Sequence, residues 1–175
     1  MPISLGTRNR ANIKWGPADV YIAEGATIDA PAAFGETITA ANLATLLSSF
    51  TLLGKLEENP ALATDPEVVT EIDSDDSDII YERHHQSKIS AEIGVAEVDN
   101  DIANAMITRM EAATKTDFLF IRTQAVGDYV LFIRNVPFSM QVIKNHTWED
   151  IEKLIIRIAV KTTSLVKVIG QKKIT

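Results

Sequence analysis

Cysteine is absent from the 175 residues, which excludes disulfides, thiolate metal sites and a catalytic cysteine while leaving the redox compartment open. Histidine is scarce: only His84, His85 and His146 occur. The adjacent pair falls in a strand-like stretch, where neighbouring side chains point to opposite faces and do not readily share one metal. Glycine-rich phosphate loops and seryl nucleophile motifs are missing, with Gly94 and Gly127 standing alone. Asp73, Asp75, Asp76 and Asp78 cluster carboxylates as a Ca²⁺ loop does, but the EF-hand spacing, its glycine and its terminal glutamate are lacking, so a solvated turn is expected. Aromatics are few, at 6%, and Trp15 and Trp148 are read as core or interface residues. No apolar run suits a signal peptide or a membrane span, and synthesis in the cytoplasm is the expectation. No enzyme activity, cofactor or metal is expected.

What is present suits one folded domain. The chain is 46% apolar and 23% charged, enough to bury one sizeable core, so residues 1–175 count as a single unit. Net charge is -7 and unevenly placed. From Glu57 to Asp101 fourteen acids face two bases, Arg83 and Lys88, a local balance of -12, whereas Lys144 to Thr175 carries seven bases and three acids. Such a chain is electrically two-ended. Phosphate neutralisation by the whole protein is disfavoured at this charge.

The patterning is mainly that of strands. Ile89, Ala91, Ile93 and Val95 fall on one face of a period-2 strand, with Lys88, Ser90 and Glu92 on the other. Val98, Ile102, Ala105, Met106 and Met110 form a helical stripe directly after it. Asp19 to Ala23 and Thr51 to Leu56 read as short strands, and Leu43, Leu46, Leu47 and Phe50 as a helix capped by Thr37 or Thr39. Val68 to Ile72 and Ile79 to Glu92 flank the Asp/Ser run, and Ile79 to Glu92 reads either as one long strand or as a hairpin arm whose tip is that run and whose outer part projects from the domain. Asp117 to Arg122 and Tyr129 to Arg134 form a second hairpin, turning at Gly127-Asp128. Phe138, Met140 and Val142, then Leu154, Ile156, Ile158 and Val160, alternate as further strands, with a capping box at Thr147 to Asp150 between them. Leu165 to Ile169 reads as the last strand.

This order of elements resembles bacteriophage tail tube proteins, the major tail proteins that share a fold with type VI secretion tube proteins. The likeness is carried by Trp15-Gly16-Pro17-Ala18-Asp19-Val20-Tyr21-Ile22, and by Ser87-Lys88-Ile89-Ser90-Ala91-Glu92-Ile93 leading into Val98-Asp99-Asn100-Asp101-Ile102-Ala103-Asn104. The resemblance implies a mainly β (α+β) fold: an antiparallel β-sandwich or barrel with a flanking α-helix (97–113), a projecting hairpin arm (67–87) and extended termini (1–12 at the N-terminus). It implies a structural virion protein: homo-oligomeric rings, hexamers, stacking into a tube as a conduit for DNA ejection. The partners implied are further copies of the chain and other tail proteins, with DNA passing the lumen without specific binding and no membrane contact. By the same analogy the arm and both termini reach into the adjacent ring, and Arg8, Arg10, Asp73, Asp75, Asp76, Asp78, Lys167, Lys172 and Lys173 are the contact candidates. The helix over 39–50 is an addition to the minimal layout and reads either as a neighbour-contact loop or as the mark of a different relative.

Two other readings stay open at this level. A tail-completion, neck or capsid-decoration protein shares the composition. A ligand-binding β-sandwich would place Trp15, Trp148 and Tyr129 on a pocket wall. An enzyme would require a cleft holding His84 or His146 beside a carboxylate.

Overall fold

The computed structural model describes residues 18–29, 36–57, 61–72, 80–144 and 151–175. Its centre is β6 (Thr116–Ile121), buried at every position. A strand covered on both faces reads as a continuous apolar run instead of an alternation. Phe118 and Phe120 face one core and Leu119 and Ile121 the other. β1 (Asp19–Glu24) and β7 (Tyr129–Val136) flank β6 antiparallel, β10 (Ile169–Ile174) follows on β7, and β2 (Glu36–Ile38) lies parallel to β10 at the edge. The outer face of this layer is covered by α1 (Ala40–Leu47). Leu43, Leu46, Leu47 and Phe50 pack with Leu119, Ile121, Phe132 and Ile174. Thr39 caps the helix by accepting the Asn42 N–H at 3.2 Å.

On the far side of β1 lies β3 (Thr51–Leu56), and β3 hands the sheet to β5 (Ile80–Ala96) over only two residue pairs, Lys55↔Ala96 and Leu56↔Val95. Here the sheet folds over. β5, β9 (Ile151–Thr162) and β8 (Ser139–Lys144) make the second layer, with β4 (Ala61–Ile72) on the outer edge of β5. Ala91, Ile93 and Val95 of β5 and Leu154, Ile156 and Ile158 of β9 meet Val20, Ile22, Phe118, Phe120 and Ile133 in the main core. The fold requires Gly54, because a Cβ there would collide with the Ala96 carbonyl and lie 2.9 Å from Val95 Cγ1. α2 (Asn100–Glu111) closes the core with Ala103 and Met106. Asp99 caps α2, its carboxylate accepting the Asp101 N–H at 2.8 Å. The described strands thus form a ten-stranded mixed sheet, folded as a mainly β sandwich with a flanking helix and a projecting hairpin.

Several details depart from the sequence reading. Ala105 is exposed and Ala103 is buried in its place, because the buried stripe of α2 runs Ile102, Ala103, Met106 and Met110. Leu165–Lys167 is a single 3-10 turn, and the last strand starts at Ile169 and runs through Gly170. The turn reverses the chain so that β10 pairs with β7. The C-terminal strand is therefore bound inside its own sheet and does not extend as an arm: Ile174 is fully buried and the Thr175 N–H bonds the Ile38 carbonyl at 2.9 Å. The 39–50 helix, one reading of which is a neighbour-contact loop, covers its own subunit's sheet. The N-terminal arm and the capping box at Thr147 to Asp150 lie outside the described residues.

Candidate assembly interface

The feature that leaves the sandwich is the hairpin of β4 and β5. Its pairing runs unbroken from Ala61↔Glu92 to Ile72↔Ile80, apart from a register shift between Glu67 and Val68. β9 accompanies β5 only from Ser87 to Ala96. Beyond that rung two strands continue with no third among the described residues, for about 20 Å at roughly 3.3 Å per residue. Among the described residues neither edge of this ribbon has a further strand paired to it, the property that makes edge strands templates for pairing with another chain. Val68 and Val69 on it are 48% and 40% exposed.

The root of the ribbon is held by charge. The Glu67 carboxylate accepts from the Gln86 amide and from Lys161 Nζ, the latter at 3.0 Å. These two bonds, the Gln86 one first, hold its carboxyl below the usual carboxylate range, with the Lys161 charge and His85 adding to them. The His84 ring is 2.8 Å from the hydroxyl of buried Ser87. Further along the second layer, Arg157 pairs with Glu92 at 2.8 Å and Lys153 pairs with Glu57. Three bases of the C-terminal region are thus paired with acids of the acidic segment in the same subunit.

Of the contact candidates, Arg8, Arg10, Asp73, Asp75, Asp76 and Asp78 lie outside the described residues. Lys167 is exposed on the 3-10 turn and Lys173 is exposed in β10. Lys172 is engaged by Glu36 of the adjacent β2 at 3.1 Å. These lysines belong to the first layer, and the described part of the arm to the second. Sequence reasoning missed the meeting of Glu67, Gln86 and Lys161, which depends on cross-strand register, and it placed Val68 and Val69 in the arm without naming them as contact residues.

Shallow depressions occur among the described residues. One, about 450 Å³, lies on the uncovered face of the second layer over Ala63, Ser90 and Ala159, beside the Glu92 and Arg157 pair. Another, about 320 Å³, runs between α2 and β8 past Asn100, Asn104 and Val142. Neither has an aromatic lining residue, and Tyr129 is half-buried in β7. Trp15, Trp148 and His146 lie outside the described residues. Among the described residues no group of three His, Asp or Glu is placed to hold a metal ion, and no helix is long and apolar enough to cross a membrane. No model of a known protein family matches the chain, and no curated protein matches it.

Proposed function

We propose that this chain is a structural virion protein that self-assembles into stacked hexameric rings, forming the tail tube through which phage DNA is ejected. The observation that carries the reading is the two-stranded ribbon beyond Ser87, its edges unpaired among the described residues, with exposed Val68 and Val69. An isolated two-stranded hairpin is marginal in water. Contact with a second copy supplies the missing partner, and a contact between different patches on successive copies propagates as a ring or a filament. The acidic composition adds support, since a surface of this charge repels phosphate and lets DNA pass without holding it.

Negative-stain images of the purified protein at high concentration test this. Long uniform tubes are the expected result. Discrete rings or monomers under the same conditions would overturn it in favour of a tail-completion, neck or capsid-decoration role.

A further inference from the structure

The hairpin leaves the sandwich at one rung. The pairing of β5 with β9 ends at Ser87↔Thr162, and the register of β4 against β5 shifts immediately outside it, with Glu67 opposite Gln86 and Val68 opposite His84. His85 is the extra residue of this bulge. A bulge bends the strand that carries it and increases the local twist, so the direction of the arm is set here.

The same place gathers side chains from three strands. Glu67 of β4 bonds Gln86 of β5 and Lys161 of β9. Lys161 stands opposite Lys88 in the β5–β9 register, and Lys88 stands opposite Asp65 of β4. Glu67 therefore offsets a like-charge pair while joining β4 to β9, two strands that share no backbone pairing. The contact spans the strand about which the ribbon would swing.

We propose that this bulge and the Glu67–Lys161 bridge form an ionic fulcrum that fixes the angle at which the arm leaves its own subunit. The inference concerns a single copy and does not rest on the assembly reading. Exposed ion pairs contribute little to global stability. The bridge accordingly shows itself mainly in where the arm points, with only a small shift in the unfolding midpoint.

The absence of cysteine makes the test direct. Val69→Cys on the arm and Glu152→Cys near the start of β9 accept one spin label each in the full chain. Diluting labelled with unlabelled protein restricts the dipolar measurement to distances within one copy. One narrow distance distribution is expected for the parent. Glu67→Gln and Lys161→Met each broaden it, the reversed pair Glu67→Lys with Lys161→Glu restores the narrow peak, and deletion of His85 shifts its centre. A broad parent distribution would overturn the proposal. So would a Glu67→Gln distribution as narrow as the parent's, or a reversed pair as broad as the single variants.

Discussion

Asp117 receives the backbone N–H of Asn135 at 2.7 Å while lying fully buried. The same carboxylate accepts the N–H groups of Ala26 at 3.0 Å and Ile28 at 2.8 Å. Ala26 and Asn135 both have positive φ, 68° and 55°, a region that side chains other than glycine enter at a cost of roughly 1–2 kcal/mol. One carboxylate thus ties the loop after β1 to the end of β7 and satisfies the donors of two unfavourable turns. Replacing it with Asp117→Ala leaves three donors without their acceptor, and the expected loss is about 3 kcal/mol or more. Asp117→Asn keeps one acceptor oxygen and falls between. Urea midpoints at unchanged slope measure both.

Gly54 carries the fold of the sheet. A methyl group there meets the Ala96 carbonyl and the side chains of Val95 and Val98, the last at 3.1 Å. Gly54→Ala is expected to destabilise the protein by about 1–3 kcal/mol through overpacking. Gly127 also has a positive φ, 94°, but its surroundings are open. Gly127→Ala strains only the backbone and is expected to cost about 1 kcal/mol. Thermal unfolding of the two variants side by side separates collision from backbone strain.

The lowered carboxyl of Glu67 gives a pH dependence of definite sign. A group whose pKa is depressed on folding contributes stability above its unfolded value, and that contribution is lost as pH falls through the folded value. Between parent and Glu67→Gln, a small difference in urea midpoint is expected at neutral pH. It shrinks once pH drops below the ordinary carboxylate range around 4.5. A difference that grows on acidification would contradict the assignment.

The exposed valines of the arm separate folding from assembly. Val68→Asp and Val69→Asp lie outside both cores, and each is expected to change the stability of the isolated subunit by no more than about 0.5 kcal/mol. Both are expected to abolish tubes seen by negative stain. Val126→Asp serves as the control: this residue is 72% exposed on the loop before β7, and the substitution leaves tubes intact.

Much of the fold was legible because local pattern reports local environment. The alternation of Ile89, Ala91, Ile93 and Val95 matches their burial, and the Leu43 stripe gives α1 with Thr39 as its cap. Asp117 was harder, since its sequence context is one acid beginning an apolar run, and its three donors come from segments up to 91 residues away. The meeting of Glu67 with Lys161 crosses 94 positions and depends on two strand registers at once. The final strand was misplaced because Leu165 to Ile169 is as apolar as a strand, while the 3-10 turn is imposed by the reversal that lets β10 reach β7.

The sequence by itself determined that this chain is mainly β, where the central hairpin turns and which stretch is acidic, because residue periodicity and turn chemistry act over neighbouring residues. Only the tertiary structure decided that the sheet folds over at Gly54, that α1 covers its own subunit's outer face and that the C-terminal strand is locked in the sheet. It alone decided that β9 leaves β5 at Ser87, exposing a two-stranded arm. Those outcomes are set by which distant strands pair and in what register, a property of contacts between segments that no single segment carries.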